Sequence, residues 1–235
     1  MTKKIISLSG IPTIEWLLLT ILIASLTSLL CLFFLIKSRK KYSFYKKFEI
    51  YACSYFLLIL MDFNPFDLSQ PIYYSTFTNT DNLFTLLELI IYTLFFLPLF
   101  TKKQKIISYV LIVTYFIFFI FLTVLGNLYN RLMSFKSEIY VVQSLIIITY
   151  CVFYYINIFT NVSRLILKKE ATFWITTGVF CMLLGILPFS IAENYLMTSY
   201  RNSWIILSSI YNLFYILNFI MLIKASLCNP TNLTL

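Results

Sequence analysis

Apolar residues in this chain come in long runs that do not alternate with polar ones. "EWLLLTILIASLTSLLCLFFLI", which starts at Glu15, is the clearest of these. Windows of about 20 apolar residues are what a helix needs to cross the hydrocarbon of a bilayer. A barrel strand would instead switch between apolar and polar at every second residue over about ten. The pattern predicts seven helical spans, at roughly 13–36, 48–62, 82–100, 106–125, 138–160, 172–192 and 204–226. The second, "FEIYACSYFLLILMDF", is short and polar at both ends. It needs either a locally thin membrane or shielding by its neighbours.

Composition agrees with this. The chain is 60% hydrophobic and 11% charged, against about 25% charged in a soluble domain, so it has no polar surface for so much Phe, Leu and Ile. The expected fold is an all-α membrane protein, a seven-transmembrane-helix bundle forming a single domain over residues 1–235, with nothing left over for a soluble domain. The first apolar run is too long for a signal peptide, lacks a small-residue cleavage site and is followed by a basic stretch, so it is expected to remain. Leu30 before Cys31 argues against a lipidated cysteine, and the five cysteines show no metal-ligand spacing. They are expected to pack as small apolar residues.

The net charge of +9 raises the question of nucleic acid, but the basic residues lie in short segments beside the spans. Lys37, Arg39, Lys40, Lys41, Lys46 and Lys47 follow the first span; Lys102, Lys103 and Lys105 follow the third; Arg164, Lys168 and Lys169 follow the fifth. With Lys224 these make thirteen of the eighteen basic residues, while the longest loop, 63–81, has none. The positive-inside rule then places the N-terminus outside and the C-terminus in the cytoplasm. Loop 63–81, with Pro65, Pro71 and several aromatics, is expected to lie over the outer face with aromatics at headgroup level.

Orientation gives each intramembrane polar residue a depth. At about 1.5 Å per residue, Glu88 lies roughly 10 Å below the outer end of the third span. Gln143, Ser208 and Asn212 enter the same leaflet from the fifth and seventh spans, and Ser190 and Glu193 sit at the outer end of the sixth. Thr85, Glu88 and Tyr92 share one stripe of a helix. Tyr140, Gln143, Ile147, Tyr150, Tyr154 and Asn157 share another, and Ser208, Asn212 and Tyr215 a third, with Tyr211 and Asn218 adjacent. Unsatisfied polar groups are costly in hydrocarbon, so these stripes should face the bundle interior. Glu88, Thr85, Tyr92, Gln143, Ser208 and Asn212 are therefore the candidate ligand-binding residues, with Glu88 held by Gln143, Asn212, Ser208 and tyrosine hydroxyls. An intramembrane carboxylate marks a functional site by default; the alternative is a clasp of interhelical hydrogen bonds. On the sixth span Gly178, Cys181, Gly185, Pro188 and Ala192 form a small-residue stripe that lets helices approach closely, and Pro188 is expected to kink it.

Chemistry beyond this is sparse. The chain has no histidine, which removes the commonest acid–base group and metal ligand. No span carries paired carboxylates, and there is no G-x-S-x-G elbow or P-loop. The seventh span lacks a mid-membrane lysine for a retinal Schiff base. An enzyme is disfavoured, and neither metal nor cofactor is called for. The segments "LLELIIYTLFF", "IYVVQSLIIITYCVFYY", "KKEATFWITTGVFCMLLG" and "WIILSSIYNLFYILNFIML", in that order, resemble a group of uncharacterised bacterial seven-helix inner-membrane proteins, over about the C-terminal two thirds. Their genes often lie beside histidine-kinase or response-regulator genes. The resemblance implies a membrane signalling accessory in the inner (cytoplasmic) membrane, with a histidine kinase or another membrane or cytoplasmic protein as partner. Members often carry a carboxylate where Gln143 stands, which counts against a paired-carboxylate mechanism here.

Three functions are open on this reading. The first is a sensor or signalling accessory subunit, with an outward-facing polar pocket that takes a small ligand or lipid headgroup. The second is a structural or scaffolding subunit whose polar residues are packing clasps. The third, an intramembrane lipid-modifying enzyme or carrier, needs turnover or flux dependent on Glu88. The lipid bilayer is a partner in each, and nucleic acid in none.

Overall fold

A computed structural model describes residues 13–38, 40, 44–62, 71–129, 136–161, 170–199 and 201–228. Among these residues the chain is entirely helical: α1 (Thr13–Ser38), α2 (Tyr45–Asp62), α3 (Pro71–Phe96), α4 (Lys102–Tyr129), α5 (Lys136–Asn161), α6 (Ala171–Ser199) and α7 (Arg201–Leu227). A 3₁₀ turn, Leu97–Leu99, follows α3. Five of the helices, α1, α4, α5, α6 and α7, contain stretches long and apolar enough to cross a membrane. This is a multi-pass helical membrane protein.

The packing forms a closed ring. α1 lies on α2, α2 on α3, α3 on α5, α5 on α6, α6 on α7, and α7 returns to α1. α4 stands outside this ring and packs chiefly on α5, through buried Ser108 and Tyr115. Its remaining surface, including Ile106, Val110, Val113, Ile117 and Ile120, is exposed and apolar, as lipid requires. α2 buries one face in the ring and leaves Ile50, Cys53 and Leu57 exposed on the other. Tyr45, Phe48, Tyr51, Ala52 and Tyr55 recur at helical spacing and are all buried, facing the ring interior.

Two loop boundaries differ from expectation. α3 begins at Pro71, so residues 71–81, expected as part of an outer loop, are helical. Proline suits the first helical position, where its missing N–H is not needed, and no Gly or Pro interrupts the sequence from there to Phe96. Residues 63–70, and the side chains expected at headgroup level, lie outside the described set. Lys102, Lys103 and Lys105, expected in a loop, instead open α4. Thr101 and Gln104 form a capping box there: the Thr101 N–H donates to Gln104 Oε1 at 2.9 Å, and the Gln104 N–H donates to Thr101 Oγ1 at 3.4 Å. Pro98 cannot donate to the Leu94 carbonyl one turn earlier. Lys47 of α2 takes that carbonyl instead, at 2.9 Å, and Asn157 of α5 donates to the Leu99 carbonyl at 3.1 Å. One short corner is thereby pinned to two neighbouring helices.

Of the small-residue stripe on α6, Gly178 and Gly185 face α7, while Pro188 is exposed. A Cβ on Gly178 would lie 2.7 Å from Met221 Cβ, and one on Gly185 would lie 2.2 Å from the Phe214 ring. α6 runs on through Pro188 to Ser199 as a single helix. At the other end of this pair, Lys224 sits 3.8 Å above the Trp174 ring, a cation–π contact between the start of α6 and the end of α7.

Gly178→Ala is expected to force α6 from α7 and lower stability by about 1–3 kcal/mol, because Met221 Cβ is tied to its backbone and cannot swing aside. Leu30→Ala on the exposed face of α1 is expected to change stability by less than about 0.5 kcal/mol. Equilibrium unfolding in mixed detergent micelles compares the two.

Candidate functional site

The interior of the ring is where the polar stripes meet. On α3 the buried face carries Thr85, Glu88, Leu89, Tyr92, Phe95 and Phe96, while Leu83, Ile90 and Leu94 point outward. This is the 3.6-residue separation the sequence implies. On α5 Tyr140, Gln143, Ile147, Tyr150 and Tyr154 are all buried.

Glu88 is fully buried, with 0% of its surface accessible. Both carboxylate oxygens are bonded, each to a different helix. Gln143 Nε2 of α5 donates to Oε2 at 2.8 Å, and the Tyr51 hydroxyl of α2 donates to Oε1 at 3.2 Å. Further bonds come from α7. Asn218 Nδ2 donates to the Tyr51 hydroxyl at 3.4 Å and to the Tyr92 hydroxyl at 3.3 Å. One connected network thus reaches α2, α3, α5 and α7. Among the described residues Glu88 has no ion-pair partner, so its burial rests on hydrogen bonds alone. Two amide oxygens in the same network, Gln143 Oε1 and Asn218 Oδ1, are buried and accept no hydrogen bond among the described residues.

Above this network lies a tyrosine layer. The Tyr140 and Tyr215 hydroxyls are 3.3 Å apart, the Tyr211 and Tyr215 hydroxyls 3.4 Å. Tyr55 stacks on Tyr215 with ring centroids 4.6 Å apart and planes at 23°. Rings from α2, α5 and α7 therefore meet in one layer.

Nothing outside the chain helps to read this site. No family model, curated protein sequence or solved structure matches it. The chemistry must be taken from the residues themselves.

Of the six candidate residues, the structure unites Glu88, Gln143 and Tyr92 in the network, and Thr85 lies one helical turn from Glu88 on the same buried face. Asn212 does not bond to Glu88. It is half-buried, and its Nδ2 lies 3.5 Å from Thr20 Oγ1 on α1. Ser208 is likewise half-buried on α7, one turn before it. The α7 residue that joins the network is Asn218, six residues further along, and it does so through Tyr51 and Tyr92 rather than by bonding Glu88. The side chain of Glu193 lies outside the described set.

Tyr51 and Asn218 were the residues the sequence pattern left out of the candidate set. Tyr51 belongs to the Phe48, Tyr51, Tyr55 stripe, and Asn218 follows Tyr211 and Tyr215 at helical spacing. Both signals are visible, but neither says which stripes meet. An open groove between α1 and α2, lined by Leu32, Glu49, Ile50, Cys53, Ser54 and Leu57, contains none of the candidate residues. No cluster of three or more His, Cys, Asp or Glu side chains occurs among the described residues. What the arrangement does chemically is hold four helices at one point and offer one carboxyl group, sealed from solvent, to a proton.

Glu88→Leu leaves Gln143 Nε2 without an acceptor and Tyr51 with only the weak acceptor Met182 Sδ, and is expected to cost about 1–3 kcal/mol of stability, whereas Glu88→Gln keeps an acceptor and costs less. In a double-mutant cycle, Glu88 and Gln143 are expected to couple by about 0.6–1.7 kcal/mol, and Glu88 and Asn212 by near zero. Unfolding free energies of the single and double variants decide this.

Proposed function

We propose that this chain crosses the bilayer seven times, N-terminus outside and C-terminus in the cytoplasm, and acts in a bacterial inner membrane as an accessory or scaffolding subunit of a signalling assembly. The Glu88 network is its internal clasp. The observation that carries this reading is the complete burial of a carboxylate whose two oxygens are both bonded to other helices. A ligand could reach Glu88 only if α2, α3 and α5 parted, so the group suits holding the bundle together better than binding from outside. α2 and α3 supply Tyr51 and Glu88 to the clasp.

The basic ends of α2 and α4 supply the surface for a partner. Lys46, Lys102 and Lys103 are exposed there, beside the corner pinned by Lys47 and Asn157. A histidine kinase or another membrane or cytoplasmic protein is the partner that the sequence resemblance suggests.

A second reading, a sensor with an outward-facing polar pocket for a small ligand or lipid headgroup, draws on the half-burial of Ser208 and Asn212 on α7. They remain partly accessible while Glu88 does not.

Native mass spectrometry of the protein, extracted from its host into lipid nanodiscs, separates the two. The subunit reading expects a protein partner retained without any stoichiometric small molecule, both in the wild type and in Glu88→Gln. A small molecule bound one-to-one to the wild type and lost in Glu88→Gln overturns it in favour of the sensor.

A further inference from the structure

The Tyr51 hydroxyl has one hydrogen and two acceptors. Glu88 Oε1 lies at 3.2 Å on α3, and Met182 Sδ at 4.0 Å on α6. Its oxygen meanwhile accepts from Asn218 Nδ2 at 3.4 Å. A hydroxyl hydrogen rotates to suit its surroundings, and a carboxylate accepts only, whereas a carboxylic acid also donates. The direction of the Tyr51–Glu88 bond therefore depends on whether Glu88 carries a proton.

We infer that Glu88 is a proton-binding site whose occupancy is reported to α6 by reversal of the Tyr51 hydrogen bond. With Glu88 ionised, Tyr51 donates to Oε1, and Gln143 donates to Oε2. When one proton from solvent binds Oε1, Glu88 donates to the Tyr51 oxygen. The tyrosine keeps its own hydrogen and turns it to Met182 Sδ. No covalent bond of tyrosine breaks, and the network gains one proton in all. Asn218 donates to Tyr51 in both states, so the ring stays in place while its hydrogen moves. Met182 is fully buried on α6, the helix whose glycine stripe packs on α7. The switch thus ends at the tightest seam of the bundle.

The groups facing Glu88 leave it alone to titrate in this way. They are Tyr51 from α2, Tyr92 from its own helix, Tyr115 from α4, Tyr140 from α5 and Tyr215 from α7. α5 adds the neutral Gln143, α7 the neutral Asn218, and α6 the neutral Met182.

The test is infrared difference spectroscopy of the purified full chain in lipid nanodiscs, titrated with acid and with no partner present. It is therefore independent of the subunit reading. The wild type is expected to gain a carboxylic C=O band that is lost in Glu88→Gln and changes frequency in Tyr51→Phe. Met182→Leu is expected to keep that band and to lose the acid-linked change in the tyrosine C–O–H mode. If Glu88→Gln does not fold, Glu88→Asp, which keeps a carboxyl in a shifted position, replaces it and should move the band. The inference is overturned if no such band depends on residue 88 across the pH range in which the fold persists. It is equally overturned if the band is indifferent to Tyr51→Phe.

Discussion

A carboxylate in the middle of a membrane protein must be held from more than one side, and that requirement organises this bundle. Glu88 is supplied by α3, but the donors to it come from α2 and α5. Without Glu88, Gln143 Nε2 has no acceptor among the described residues and Tyr51 has only a thioether sulfur. In hydrocarbon there is no water to take over a lost bond, so displacing any one of these helices strands a polar group. Apolar packing between lipid-exposed helices is weakly directional, since lipid tails are as apolar as leucine. The polar network supplies the register that such packing cannot.

Close approach supplies the rest. Gly178 and Gly185 let α6 lie on α7 with no room for a side chain. Asn218, one turn from Met221 on the facing surface, reaches from that seam into the Glu88 network. Steric and polar constraints are therefore linked through α7. At the end that carries the α3–α4 corner, Pro98 frees a carbonyl and Lys47 occupies it, so a break in one helix becomes a tie to another. α4 shares few of these constraints. It touches the ring through α5 and shows lipid a nearly continuous apolar face.

Function follows from how firmly the carboxylate is sealed. A group with no accessible surface cannot meet a ligand without helix movement, whereas a proton needs only a transient hydrogen-bonded path. The network is suited to holding and to titrating, and those two uses do not conflict. Tyr51 meets both demands because a hydroxyl donates or accepts without displacement of its ring.

Much of this was legible in the sequence. Long apolar runs and their basic flanks determined that the chain is a helical membrane protein, because hydrocarbon admits little else. Period placed Glu88, Thr85 and Tyr92 on one inward stripe and Gln143 on another, since a helix turns about 100° per residue whatever its neighbours do. Period could not say which stripes face each other. Asn212 and Asn218 lie on different sides of α7, and the order of helices round the ring decided that the first side meets Thr20 and the second Tyr51. The start of α3 at Pro71 and of α4 at Lys102 was likewise decided by local capping, which a hydropathy window does not resolve. The choice of partners rests on distances between residues far apart in the chain, and those exist only once the ring has closed.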